Sequence, residues 1–405
     1  MSQIDKLIAD LCPNGIEFKT LGDIARLVRG NGMPKSDLTE DGVGAIHYGQ
    51  IYTQYGAWAR ATISFVSEAT ATKLAKVDPG DIVITNTSEN IEDVGKAVAW
   101  LGDEQIVTGG HATVIKHAQD PKYLSYWFQS RAFFDQKRAL ATGTKVIDVS
   151  TRQLEKVRIP VPPLEVQREI VRVLDKFTQL EAELEAELEA RRRQYEHYRS
   201  ALLSFPAGDA KSSTLGELAV RVSSGGTPHS GTPEYYESGN IPWLRSQDIN
   251  GSRVFHTGAM ITKEGLLNSS ARWIPKNCVI VAMYGATAAR VAINEIPLTT
   301  NQACCNIELD SSKADYRYVF FWIANQYETL KALGEGSQSN LNSRKIKSFP
   351  ILVPPLEEQR RIVSVLDKFD SLVNDLSIGL PAELAARRKQ YEYYRDRLLT
   401  FEEKR

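Results

Sequence analysis

Pro162-Pro163-Leu164-Glu165-Val166-Gln167-Arg168, running on into Val173-Leu174-Asp175-Lys176-Phe177, returns as Pro354-Pro355-Leu356-Glu357-Glu358-Gln359-Arg360 and Val365-Leu366-Asp367-Lys368-Phe369. The second copy lies 192 residues after the first in a chain of 405. A further segment, Arg192-Arg193-Gln194-Tyr195-Glu196-His197-Tyr198-Arg199, is answered by Arg388-Lys389-Gln390-Tyr391-Glu392-Tyr393-Tyr394-Arg395 at an offset of 196, so the second copy holds four extra residues between its matched parts. A chain doubled in this way builds two similar surfaces in a pseudo-twofold relation. Such a molecule suits a ligand that itself has two ends.

Outward from the phrase the halves agree only in outline. Lys19-Thr20-Leu21-Gly22-Asp23-Ile24 answers Ser213-Thr214-Leu215-Gly216-Glu217-Leu218. Pro79-Gly80-Asp81-Ile82-Val83-Ile84 answers Pro275-Lys276-Asn277-Cys278-Val279-Ile280, and Tyr123-Leu124-Ser125-Tyr126-Trp127-Phe128 answers Tyr318-Val319-Phe320-Phe321-Trp322-Ile323. Between these marks the sequences diverge, so one scaffold carries two different reading surfaces. Residues 15–160 and 207–352 read as mixed α/β domains. β-Branched runs at 81–85 and 112–115, with counterparts near 278–283 and 303–309, are bounded by Gly, Pro and Asn and predict strands. Aromatics at helical spacing (Tyr123, Trp127, Phe134) predict a helix over 123–140, and a second helix is expected over 316–333.

Each phrase opens a long helix, over 161–206 and 353–405, with Pro163 and Pro355 suited to the first turn. In the first copy Ile170, Val173, Phe177, Leu180, Leu184, Leu188, Tyr195, Tyr198, Leu202 and Phe205 recur in steps of three and four, the pattern of a seam against another helix. The second copy supplies Leu372, Leu376 and Tyr391. A helix over 164–205 is about 60 Å long at ~1.5 Å per residue. That is the length of a spacer. Its Leu/Glu/Ala repeat over 180–190 also has a plainer reading, a solvated helix with one apolar stripe. Ser377-Ile378-Gly379-Leu380-Pro381 predicts a break or kink near 379–381 in the second helix only. Pro13-Asn14-Gly15 before Thr20-Leu21-Gly22 echoes Pro206-Ala207-Gly208 before Thr214-Leu215-Gly216. Residues 1–14 therefore read as the tail of a helix module, and the two ends of the chain are expected to meet and close the repeat.

Composition bounds the function. The length suits two cores rather than one. No apolar run approaches ~18 residues, which argues against a membrane span, and the N-terminus lacks a signal-peptide layout. Cys12, Cys278, Cys304 and Cys305 have no metal-type spacing and read as reduced thiols of a cytoplasmic protein. The net charge of -1 and pI near 6.6 do not announce nucleic-acid binding, although 211–350 is slightly basic and 15–155 slightly acidic. No dinucleotide fingerprint, phosphate loop or zinc set is present in the sequence. His47, His111, His117, His197, His229 and His256 are scattered singly and read as ordinary residues. A binder is favoured over an enzyme.

Candidate contact loops are those rich in Gly, Ser, Thr, Asn and Arg. Arg29 and Asn31 lie in one, and Ser224 and Thr227 in its counterpart, where small residues let backbone N–H groups approach phosphates. Tyr48 and Gln50, with Arg245 and Gln247, offer forks that fit base edges. Thr144 and Lys145 lie opposite Ser337, Gln338 and Asn340. Each loop alone reads as a surface turn, and recurrence at matched places is what favours contact. The basic ends Arg191-Arg192-Arg193 and Arg387-Arg388-Lys389 either pair with Glu187, Glu189 and Glu383 or face phosphate or a partner.

The twin Pro-Pro-Leu-Glu-x-Gln phrases, each followed by Val-Leu-Asp-Lys-Phe and a basic Gln-Tyr-Glu segment, resemble the specificity subunit of type I restriction–modification systems, in its type IC-like branch. The resemblance covers the whole chain. It implies two copies of an α/β (α+β) target-recognition domain, separated by two long antiparallel helices forming a coiled coil. Each domain would bind one half of a bipartite, asymmetric double-stranded DNA site. The subunit would be non-catalytic, with no cofactor or metal of its own. S-adenosylmethionine, ATP and magnesium would sit on partners: two methylation subunits and the restriction/translocase subunits. The repeat in the first helix would act as a ruler for the unread gap. The rival is a tandem-domain protein-interaction scaffold with a coiled-coil spacer.

Overall fold

The computed structural model describes residues 3–206, 208–251, 253–335 and 340–404. The chain divides into two compact units, Met1–Glu185 with Glu383–Arg405, and Ala186–Ala382. In the first unit a central sheet joins Ala25–Arg29 (β1), Trp58–Ala59 (β2), Ile82–Thr85 (β3), Ala97–Trp100 (β4) and Ala112–His117 (β5) in the order β1-β5-β3-β4-β2. In the second, Ala219–Ser224 (β6), Arg253–Val254 (β7), Val279–Ala282 (β8), Val291–Asn294 (β9) and Cys304–Leu309 (β10) run β6-β10-β8-β9-β7, the same topology. Every residue of β3, β4, β8 and β9 is buried, which is why these segments read as continuous apolar runs instead of alternating ones. Each unit adds a second sheet, of five strands in the first unit and four in the second, in which 43–46 pairs parallel with 106–108, and 241–244 with 298–300.

The sheet register corrects one sequence match. Ile82 faces Ile115 and Val279 faces Ile307, so Ile82 corresponds to Val279, one residue away from the pairing read off the Pro79 and Pro275 marks. Gly80 (φ +94°) and Asn277 (φ +68°) then occupy one left-handed turn position. A second correction concerns the aromatic helices. The stretch 123–140 is two helices, Pro121–Trp127 and Arg131–Leu140, because the Ser130 side chain accepts from Phe133 N–H and starts a new one. Likewise 316–333 divides into Tyr316–Asn325 and Tyr327–Ala332.

The twin phrase is a docking device. Helix α1 (Leu164–Leu202, 39 residues) follows the first copy, and helices α2 (Leu356–Asn374) and α3 (Leu380–Leu398) follow the second. The prolines stand just outside the helices, Pro355 being the N-cap of α2. Gln167 is wholly buried. Its amide donates to Pro162 O at 2.8 Å and to Gln119 Oε1 at 2.7 Å, and accepts from Asp120 N–H at 2.9 Å. Gln359 repeats this with Pro354 O at 2.8 Å and Asp315 N–H at 2.8 Å. Asp120 and Asp315 are themselves N-caps of helices in their domains, so each glutamine ties the long helix to the domain before it. Aspartates of the phrase make a second tie. Asp175 takes Lys122 at 2.7 Å and Tyr126 Oη at 2.6 Å, while Asp367 takes Arg253 at 2.9 Å and Arg317 at 2.5 Å.

Each unit contains its own antiparallel helix seam. In the first, Phe177 of α1 stacks on Tyr394 of α3 with centroids 5.4 Å apart, beside Tyr391 at 6.5 Å. In the second, Phe369 of α2 stacks on Tyr198 of α1 at 5.4 Å, beside Tyr195 at 6.3 Å. So the start of each copy's helix meets the end of the other copy's. Leu188 and Tyr195 are buried in their seam and Leu184 is half-buried, whereas Leu180 is 47% exposed. The contact runs through Phe177 and Glu181 instead, Glu181 accepting from Arg388 at 2.6 Å. Leu372 is 37% exposed and Leu376 83% exposed, so neither is the seam residue expected. Leu376 lies in the interruption at 375–379, where Asp375 accepts from Ser377 N–H at 2.7 Å and Ile378 N–H at 3.2 Å. A Cβ on Gly379 would lie 2.5 Å from Ser371 O, so no other residue fits that turn without a shift.

The short N-terminal helix Gln3–Leu11 buries Ile4 in the first unit's core together with Leu399. Ile16 N–H donates to Glu402 O at 2.9 Å, Lys404 N–H returns to Ile16 O at 2.9 Å, and Arg158 pairs with Glu403 at 2.6 Å. The basic helix ends pair locally: Arg191 with Glu187 at 2.8 Å, Arg193 with Glu189 at 3.2 Å and Arg387 with Glu383 at 3.4 Å. No helix among the described residues is long and apolar enough to cross a membrane, and none of their His, Cys, Asp and Glu side chains gather in a group that could hold a metal.

Candidate nucleic-acid interface

In the first unit the predicted loops meet at one end of the central sheet. Gly30 follows β1 and donates to Ala112 O at 2.9 Å, and a Cβ there would stand 1.8 Å from Gly109 O. This glycine is required by internal packing rather than by an approaching phosphate. Arg29 is exposed with no ion pair among the described residues, while the Asn31 amide is committed to Lys73 O at 2.6 Å. Gln50 is also withdrawn from the expected set. Its Oε1 accepts from His47 N–H at 3.2 Å and its Nε2 donates to Ser64 Oγ at 2.6 Å, completing the cap of the helix Tyr48–Thr53.

Tyr48 remains at the surface, tilted between His47 (4.6 Å) and His111 (5.0 Å). Scattered singly in the sequence, these histidines are brought together by the structure. His111 takes φ +66° after Gly109-Gly110, a tight turn that the two glycines signal, and its Nδ1 lies 2.9 Å from Thr87 Oγ1. Burial lowers the pKa of His47, assisted by Lys35 and His111. Gly32, Met33, Pro34, Lys35, His47, Tyr48, Gly110 and His111 line one shallow cavity. Beside it, the strand at 147–148 pairs with Thr87–Ser88 and carries an exposed hairpin tip with Thr144 and Lys145, closed by Thr142 and Asp148 and turned by Gly143 at φ +99°.

The second unit keeps the plan with different side chains. Gly225 and Gly226 pack internally, a Gly225 Cβ falling 1.9 Å from Thr300 O. Thr227 donates to Gln302 and Ser224 lies 3.4 Å from Ser343 Oγ. Arg245 spends its guanidinium on Asp248, at 3.0 and 3.2 Å, so it is not the free fork expected. Gln247 is exposed in the same turn, which Thr287 holds through Ser246 O at 2.8 Å. Asn340 is exposed and bridges Glu335, while Ser337 and Gln338 lie outside the described residues. Tyr284, 41% exposed, stands where Thr87 stands in the first unit and was not singled out by the sequence. Such surfaces offer aromatic faces, hydroxyls, amides and a few free cations, which is the chemistry of polar recognition. Buried Cys304 and Cys305 are no nucleophiles, burial pushing their thiols up to about 12 and about 11.

Comparison with known proteins identifies the family. Residues 13–190 and 208–386 each match the type I restriction modification DNA specificity domain. The chain is 38% identical over 295 residues to the Escherichia coli type I restriction enzyme EcoR124I/EcoR124II specificity subunit, spanning 69% of this chain and 70% of that one. It is 28% identical over 326 residues to the E. coli EcoprrI specificity subunit, spanning 76% and 75%. Among solved structures, 96% of the chain superposes on 98% of one from work on complex assembly and conformational transition of the type I R-M system, with a TM-score of 0.66 at 17% identity. It also matches 96% of the S subunit from M. genitalium, with a TM-score of 0.56 at 14% identity. At these identities the two structures speak for the fold alone. The paired domain matches, with the E. coli likeness, place this chain in the type I restriction–modification specificity-subunit family, whose members recognise DNA and are not themselves catalytic.

Proposed function

We propose that residues 15–160 and 207–352 are two target-recognition domains, each binding one half of a bipartite, asymmetric double-stranded DNA site. The long helices set the unread gap and dock two methylation subunits, with restriction/translocase subunits joining them. S-adenosylmethionine, ATP and magnesium belong to those partners. The observation that carries this reading is the same docking and seam chemistry, Gln167 with Phe177 and Gln359 with Phe369, beneath two domains whose surface loops differ. A shared frame with divergent loops fits two unlike half-sites on one uniform duplex. Of the sequence candidates, Arg29, Tyr48, Thr144 and Lys145, with Gln247 and Asn340, remain as contacts, joined by His111 and Tyr284. The test is to exchange 15–160 for the corresponding domain of another member and map methylated sites across a genome. One half-sequence is expected to change. A change in both, or in neither, refutes the assignment.

A further inference from the structure

Contacts to the phosphate backbone are blind to sequence. Two recognition surfaces with different loops should therefore still share the cations that hold phosphate. Two such pairs recur. Arg26 lies opposite Lys116 on β5, and Arg221 lies opposite Glu308 on β10. Lys116 and Glu308 are equivalent positions, so a bulge after Ala219 restores the arginine to the same place although the flanking sequence has shifted. Arg152 and Arg344 are each the second residue of a short helix, Thr151–Leu154 and Ser343–Lys347. Each helix packs against the outer strands of its sheet: Thr151 Oγ1 lies 3.0 Å from Thr113 on β5, the partner of Arg29 on the edge strand β1, and Ser343 Oγ lies 3.4 Å from Ser224 on the edge strand β6. Strand alternation places Arg26 on the face opposite to Arg29. Each outermost strand is thus flanked by one arginine on either side.

All four arginines are exposed, and their side chains make no hydrogen bond or ion pair among the described residues. Cations with a structural task look different, as Lys122 and Arg317 do, held by Asp175 and Asp367. Of the nearby carboxylates, Asp23 is engaged by Thr20 and Glu217 by Ser213 and Thr214, while Glu308 lies across the strand pair from Arg221. Glu155 is exposed beside Arg152, and Lys347 takes its place in the second unit. We propose that Arg26 with Arg152, and Arg221 with Arg344, are matched phosphate anchors that grip the DNA backbone at each half-site without reading it. The inference rests on the function proposed above. The plainer alternative is that charges on an edge strand only prevent sheet-to-sheet association.

The experiment uses the full chain in complex with its methylation subunits. Double variants R26Q/R152Q and R221Q/R344Q are compared with the charge-keeping R26K/R152K and R221K/R344K, and DNA affinity is measured from 50 to 200 mM salt. Losing two phosphate contacts lowers the slope of log affinity against log salt by about 1.8, so the affinity lost across that range becomes about 12-fold smaller. The lysine variants retain the wild-type slope, and the methylated sequence is unchanged in all four. An unchanged slope in the glutamine variants overturns the proposal, with or without new self-association. A changed recognition sequence overturns it too, because the arginines would then read bases. A wild-type complex with no preference for a two-part site would instead sink the proposed function itself.

Discussion

Deleting residues 184–187 removes one Leu-Glu-Ala-Glu unit from α1 and should shorten the gap between half-sites. Four helical residues amount to about 6 Å of length and a rotation of about 40° beyond a full turn. One base pair amounts to about 3.4 Å and about 35°. The translation corresponds to slightly less than two base pairs and the rotation to slightly more than one, so the gap should lose one or two. Local chemistry survives the cut because the repeat has period four. Leu188 moves into the place of half-buried Leu184, and Glu189 into that of Glu185, which together with Glu181 holds Arg388. The non-helical turn at 375–379 gives the opposing helices room to adjust. Methylated sites mapped genome-wide in cells carrying the variant with its partner subunits provide the readout. Both half-sequences should persist with a shorter interval between them. An active variant with an unaltered interval, or with altered half-sequences, refutes the ruler.

Gln167→Leu strands Asp120 N–H and Pro162 O in the interior and should cost about 3 kcal/mol in denaturant unfolding, with Gln359→Leu doing the same in the other unit. Phe177→Ala should cost about 3 kcal/mol, whereas Arg388→Ala, which breaks half-exposed ion pairs, should cost less than about 1 kcal/mol. Lys137 is buried against Glu92 O and Val94 O, and burial lowers its ammonium to about 8. Its folded pKa lies below the unfolded one, so the unfolded chain binds the extra proton between about pH 8 and the ordinary lysine range, and stability rises with pH across that window. Comparing the pH dependence of first-unit unfolding in wild type and Lys137→Met isolates this contribution, and identical profiles would refute it.

The frame was legible because its signals are short-range and doubled. Pro-Pro-Leu-Glu-x-Gln announces two helix starts, and Ser377 to Pro381 announces an interruption in one of them. What the pattern could not give was the use made of each polar side chain. Gln50 and Arg245 have donor forks in sequence, yet Ser64 and Asp248 occupy them in the fold. Gly30 and Gly225 look like phosphate approaches and are instead demanded by backbone carbonyls distant in sequence. His47 and His111 lie 64 positions apart in the chain and meet only through the sheet end. Leu180 follows the four-residue repeat, but that repeat drifts around a 3.6-residue helix, and Glu181 reaches the neighbour in its place.

The mutual exchange of helix ends has a consequence for how such chains can diversify. Residues 1–185 alone would leave the Phe177 and Leu399 neighbourhood uncovered, so neither half is a self-sufficient cassette as a single contiguous piece. Yet the stitches are chemically alike on both sides: a glutamine clasping an N-cap, an aspartate catching a cation, a phenylalanine meeting two tyrosines. Genetic crossover within the twin phrases would therefore trade one recognition module for another while leaving every stitch intact. New specificity could arise by shuffling, with no re-optimised core.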